Sequence, residues 1–312
     1  MSTTVLAALA RLYLLLAVGW LLRRTGQGGP HVADGLTVAV TEVTMPALIV
    51  ATLVRRPAEL AMVGAVGVAW VGLGAALAAA TAVAHWVAPG PEGRSARGTF
   101  LVCTTFCNTG FLGIPLAQAL WGEGSAGLST AVMVDSFTTT LLLNTVGVAL
   151  ALHHSAGGRF DRAALGRLAR APMFLAVPVG LVLGQLPIPT SITDLIADIG
   201  APTAALVFLA TGMRLRFDAV LRSGRALVAT TLIRFGIAPA VAVAAAYALR
   251  LHGEIAQEAV LEVAMPTALM APVISARYGC DPELGPALVA VTTALAPVAI
   301  VLWLAITDAL VG

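Results

Sequence analysis

Apolar residues run along this chain in stretches of about 20, the length that crosses roughly 30 Å of hydrocarbon. Arginine, glycine and proline gather between them. Ten such stretches can be marked, at 3–22, 33–54, 60–86, 97–120, 126–152, 171–187, 193–213, 224–249, 257–277 and 285–310. A segment surrounded by lipid must satisfy its own backbone hydrogen bonds, so each is expected to be helical, including those rich in β-branched residues. The expected fold is an all-α polytopic membrane protein with ten transmembrane helices.

The longest polar interval, HHSAGGRFDRAALGRLARA at 153–171, separates five stretches from five. An odd number per half forces opposite topologies on two halves that share one fold, the inverted-repeat design of many secondary transporters. The expected organisation is a first repeat over 1–152, a cytoplasmic loop over 153–170 and a second repeat over 171–312.

Composition strengthens this picture and sets an orientation. Of 312 residues 59% are apolar and 11% charged, against about 25% charged in soluble domains, which excludes a water-soluble globule. All 18 basic residues are arginine and the net charge is +2. They form no continuous basic stripe, so no nucleic-acid partner is expected. Thirteen arginines fall in connections after odd-numbered stretches and three, Arg55, Arg56 and Arg250, after even-numbered ones. Basic loops stay on the cytoplasmic side, so both termini are expected outside the cytoplasm, in the plasma (inner) membrane of a cell. Arg11 inside the first stretch argues against a cleaved signal peptide.

The most informative local pattern is in the fourth stretch, where CNTGFLGIPLAQALWG carries Gly110, Gly113 and Pro115 amid apolar residues. Proline lacks a backbone donor and clashes with the carbonyl four residues back, and glycine permits the unwound geometry that follows. The helix is expected to break there. The ninth stretch, fourth of the second half, holds AMPTALMAPVISARYG with Pro266 and Pro272 in the corresponding place. Two broken helices meeting near the midplane expose amide and carbonyl ends, and the amide ends suit an anion. The expected binding residues are Asn108, Thr109, Gly110, Gly113, Pro115, Pro266, Thr267 and Pro272.

The stretches NTGFLGIPLAQALWG, VTMPALIVATLV, APTAALVFLATGMRL and AMPTALMAPVISARYGCDP resemble the auxin efflux carrier family, whose bacterial members include malonate and malate carriers. The resemblance spans nearly the whole chain. It implies two inverted five-helix repeats with crossed fourth and ninth helices, as in bile-acid symporters and sodium/proton antiporters. It further implies a scaffold of helices 1, 2, 6 and 7, dimerisation through that scaffold, and a mobile bundle of helices 3–5 and 8–10 that carries an organic anion by elevator-like movement. The family's crossover prolines fall on Pro115 and Pro272, and its substrate-facing asparagine on Asn108. The long hydrophilic central loop of the plant auxin exporters has no counterpart here.

Glu42, Asp135, Arg234 and Glu262 fall inside apolar stretches, where an uncompensated charge costs at least about 2.5–3.5 kcal/mol. Glu262, one turn before the second break, is either a carrier of a coupled proton or an interfacial residue beside Glu258. Arg234 either pairs with Asp135 or faces the pocket. Arg11 either pairs with Glu42 or reaches a headgroup layer. Asn144 and the run SFTTT at 136–140 are expected to knit neighbouring helices. Trp20, Trp86 and Trp303, with His153 and His154, fit the membrane interface.

No metal and no cofactor are expected, because Cys103, Cys107 and Cys280 lack CxxC spacing and a histidine cluster. No HExxH, GxSxG or P-loop is present, since GEGSAG at 122–127 lacks the lysine and spacing that phosphates need. The expectation is a non-enzymatic carrier of a small organic anion, with a proton- or sodium-coupled symporter or antiporter on the same scaffold as the rival.

Overall fold

In the computed structural model, which describes residues 3–155, 166, 170–216 and 223–311, the described chain is helical with no strand. The helices are α1 (Thr3–Arg24), α2 (Pro30–Ala39), α3 (Met45–Arg55), α4 (Leu60–Val87), α5 (Arg94–Thr105), α6 (Ile114–Trp121), α7 (Ala126–Asp135), α8 (Val148–His154), α9 (Pro172–Leu183), α10 (Thr190–Gly200), α11 (Thr203–Arg214), α12 (Gly224–Leu232), α13 (Ala238–Ala248), α14 (Gly253–Val263), α15 (Met270–Arg277) and α16 (Leu284–Val311). Wide π turns link α2 to α3 (Val40–Thr44), α7 to α8 (Ser136–Gly147) and α12 to α13 (Ile233–Ile237), and a fourth, Thr109–Gly113, leads into α6. Most of the loop expected at 153–170 lies outside the described residues.

Among the described residues seven helical runs are long and apolar enough to cross a membrane, including Leu6–Arg24, Pro30–Arg55, Ala126–His154 and Leu284–Val311. The three other apolar stretches are helical too, for reasons that keep them short. One is α9, at 12 residues. The fourth and ninth are each divided into two half-helices by an interruption, so neither half alone has the length to span. The protein is thus a multi-pass membrane protein.

Two groups of helices pack within themselves. In one, α1 lies along α11, and α3 lies against α9 and α10. A Cβ at Gly19 would meet the Leu209 carbonyl, and one at Gly212 the Leu16 carbonyl. These two glycines let the α1 and α11 backbones touch, the small-residue contact that stabilises helix pairs in lipid. In the other group α4 packs on α5, α13 and α14, and α14 also packs on α7 and α16.

The π turns leave carbonyls displaced from the regular ladder, and indoles from neighbouring helices reach two of them. Trp70 Nε1 donates to the Phe137 carbonyl (3.1 Å) and Trp303 Nε1 to the Phe235 carbonyl (2.8 Å). Trp303 is therefore a buried donor rather than the interfacial residue expected from its place near a segment end. Trp20 and Trp86 fit the interface better, each lying under an arginine, Arg24 at 4.7 Å and Arg225 at 5.6 Å. The three cysteines are buried and free.

Candidate functional site

The two interruptions meet. Asn108 N–H donates to the Pro266 carbonyl (2.8 Å) and Ala268 N–H to the Phe106 carbonyl (3.0 Å). The result is a single antiparallel bridge between Cys107 and Thr267. Each strand-like segment thus satisfies part of the other's exposed backbone, which a lone interruption in lipid has no means to do.

The first break lies at Phe106–Asn108, upstream of the glycines and proline that the sequence pointed to. Pro115 instead occupies the first turn of α6, where its missing N–H costs nothing, and the π turn over Thr109–Gly113 widens the backbone ahead of it. Pro272 likewise sits in the first turn of α15, while Pro266 lies within the second gap. The prolines mark where helix resumes.

The carbonyl ends of both first half-helices converge on one side chain. Arg234, from the π turn between α12 and α13, is completely buried. Its guanidinium donates to the carbonyls of Thr105 (2.9 Å) and, at 3.4 Å, Thr104 at the end of α5. It also donates to the carbonyl of Val263 at the end of α14 and to that of Met265 just beyond (3.0 Å). A helix end carries about half an elementary charge, so two negative ends match one guanidinium. Arg234 makes no ion pair with Asp135 among the described residues.

Two buried carboxylates flank the turn that leads into α6. A Cβ at Gly110 would stand 2.9 Å from Asp135 Oδ1, and one at Gly113 would collide with the Glu262 carboxylate. A side chain at either position would have to push a carboxylate aside. Asp135 accepts from Thr109 Oγ1 (2.5 Å), Thr140 Oγ1 (3.3 Å) and the Gly110 backbone N–H. Thr109 Oγ1 also lies 2.6 Å from Thr139 Oγ1, which donates to the Cys107 carbonyl (3.0 Å).

Glu262 and Glu258, one turn apart on α14, are both completely buried, not interfacial. No N–H or O–H donor among the described residues reaches any of their four oxygens. The two carboxyls lie within hydrogen-bond reach of one another.

A cavity of about 370 Å³ opens between the helix groups. One wall is Asn108, Gly110 and Phe111 at the first break, with Ala268–Met270 from the second. The others are Thr37, Thr41 and Glu42; Asp135, Thr139, Thr140, Leu143 and Asn144; and residues 171–174 at the start of α9. Asn108 is 2% exposed and its Nδ2 has no partner among the described residues, a buried donor at the edge of open space.

Of the expected binding residues, Asn108 and Gly110 line the cavity. Thr109 and Gly113 sit behind them against the two carboxylates, and Pro115, Thr267 and Pro272 are buried in the packing around the crossing. Pro266 serves through its carbonyl. Glu42 is exposed to the cavity, and no ion pair joins it to Arg11 among the described residues. Thr139, Thr140 and Asn144 face the cavity and hold the Asp135 network together, more than the helix knitting expected of them. Among the residues that sequence reasoning missed are Thr37, Thr41, Phe111, Leu143 and residues 171–174 of the lining, and Glu258, whose burial no local pattern announced.

Comparison with known proteins adds a family. The sequence model of the family described as Membrane transport protein matches residues 4–157 and 159–304. An uncharacterized transporter of Methanothermobacter thermautotrophicus is 27% identical over 307 residues, covering 97% of each chain. An uncharacterized transporter of Methanocaldococcus jannaschii is 26% identical over 214 residues, covering 66% of this chain and 67% of its own.

Proposed function

The chain belongs to the membrane transport protein family, that of the auxin efflux carriers, and on that premise we propose that it is a secondary carrier of a small organic anion, a mono- or dicarboxylate. The observation that carries this reading is the Asn108 amide, a buried donor without an acceptor among the described residues, on a residue that lines a cavity large enough for such a solute. The Asp135 charge is already met by its own donors, whereas Asn108 Nδ2 has no acceptor among the described residues. A carboxylate oxygen is the acceptor it needs.

Movement of the solute follows from the two helix groups. We read α1–α3 with α9–α11 as a scaffold and the remaining helices as a bundle that slides against it, carrying the crossing and its solute. Interruptions at corresponding places, the second and seventh stretches and the fourth and ninth, support an inverted repeat. The cavity reaches residues 171–174, which follow the arginine-rich loop, so its mouth is assigned to the cytoplasmic side of the plasma membrane, with both termini on the other. On that other side Arg55 pairs with Asp194 and Glu123, and Arg56 with Glu59, which leaves little basic charge to oppose translocation.

A second reading concerns what accompanies the anion. Glu258 and Glu262 form a buried pair without a donor among the described residues, able to share and release a proton as the bundle moves. The elements packed on α14 bring Asp135, Asp308, His85 and Tyr247 as their titratable residues, and Arg234 lies on its carbonyl end.

The test is uptake of labelled malonate and malate into proteoliposomes. Loss of one hydrogen bond to a charged group costs about 1.5–3 kcal/mol, so Asn108→Ala is expected to weaken the apparent affinity roughly tenfold to a hundredfold. Undiminished uptake by that variant removes the site. Failure of folded protein to move any carboxylate removes the substrate class.

A further inference from the structure

Carbonyl oxygens at the ends of unwound half-helices are the ligands with which carriers of this architecture hold a monovalent cation. Here four of them, from Thr104, Thr105, Val263 and Met265, already converge on Arg234. We propose that the crossing contains an internal cation site occupied by the chain's own guanidinium, so that transport proceeds without sodium at this position. The proposal deepens the carrier reading, on which its transport arm rests.

Three structural features support it. First, the contacts come from both half-helices, so the group in the middle holds the two interruptions together as a bound ion would. Second, the side chain is completely buried and every hydrogen bond it makes among the described residues goes to a backbone carbonyl. Its charge is therefore balanced by two helix ends rather than by a carboxylate. Third, the guanidinium is anchored in the π turn Ile233–Ile237, whose displaced carbonyl is fixed by Trp303. A tethered guanidinium does not dissociate from the chain that carries it. The site is thus filled in every state of a transport cycle, while an ion would have to be bound and released.

The experiment uses the full-length protein in detergent, without substrate, so it stands whether or not the anion reading does. The thermal midpoint of the unmodified protein is expected to be the same, within about 1 °C, in sodium chloride and in choline chloride. Arg234→Ala is expected to lower the midpoint by about 5 °C or more. About 10 mM guanidinium chloride should restore part of that loss, and the same concentration of urea, its neutral isostere, should not. Arg234→Lys keeps a charge but not the planar fork, and should fall between, without response to guanidinium. In proteoliposomes, uptake by the unmodified protein should be equal in sodium and choline.

A midpoint or uptake rate raised by sodium overturns the proposal, as does an Arg234→Ala midpoint that is unchanged or is restored equally by urea. If Arg234→Ala yields no folded protein, Arg234→Lys decides: a midpoint equal to that of the unmodified protein would show that the four-carbonyl geometry is not being read, and overturns it. Loss of all carboxylate uptake with guanidinium rescue intact would count against the substrate and leave the cation site standing.

Discussion

The turn over Thr109–Gly113 has a carboxylate on each side, and the two are treated in opposite ways. Asp135, against Gly110, is held by two hydroxyls and a backbone amide; Glu262, against Gly113, is held by no donor among the described residues. Both are buried in the protein, so the contrast is not one between a surface and an interior residue. A carboxylate ringed by donors at the amide end of a helix acts as a fixed counter-charge and cap. One without donors among the described residues, beside a second carboxyl, has no hydrogen-bonded partner to hold a charge there. The same turn thus separates a carboxylate held by donors from one that has none among the described residues.

That contrast can be broken at several points. Asp135→Ala strands Thr109, Thr140 and the Gly110 amide together, at about 1–3 kcal/mol for each buried group left unsatisfied. A fall of about 3–5 kcal/mol in stability is the expected result in chemical denaturation, and a change under about 1 kcal/mol would mean that Asp135 is not the cap. Gly113→Ala drives a methyl group into Glu262 and is expected to cost about 1–3 kcal/mol. The double variant Gly113→Ala with Glu262→Ala should recover most of it, and strict additivity of the two losses would deny the contact. Thr109→Val removes the shortest bond to Asp135, and a loss of about 1.5–2 kcal/mol is expected; a thermal midpoint equal to that of the unmodified protein would leave Asp135 held by something else. Glu262→Gln should change stability least, by less than about 1 kcal/mol, because no donor is lost. Its effect belongs to transport: uptake driven by a pH gradient should disappear while exchange at equal pH persists. Retained gradient dependence would dismiss Glu262 as a proton carrier.

Much of this was legible in the residues. Hydrophobic length placed the helical stretches among the described residues, because lipid leaves a spanning chain few alternatives. Glycine and proline placed the interruptions to within a few residues. They missed the gap itself, since a proline is most comfortable just inside a helix start and so marks the far edge of a break. Asn108 was legible as a polar residue beside that edge. The role of Arg234 was not, because its partners are backbone carbonyls, which every residue has and no sequence pattern distinguishes. The sequence offered Asp135 as a charge to pair with it, and the actual counter-charges were two helix ends. The division between Thr140, Asn144 and their apolar neighbours was likewise hidden, because the π turn over Ser136–Gly147 rotates that segment away from the faces a regular helix would present.

The bridge between Cys107 and Thr267 is made by main-chain atoms, from Asn108 N–H to Pro266 and from Ala268 N–H to Phe106. Its strength is therefore indifferent to side-chain chemistry, with proline at 108 or 268 as the exception. A lineage can exchange Thr37, Thr41, Phe111 or Met270 for other residues, and so acquire a taste for a different solute, without unpicking the knot that makes a site possible.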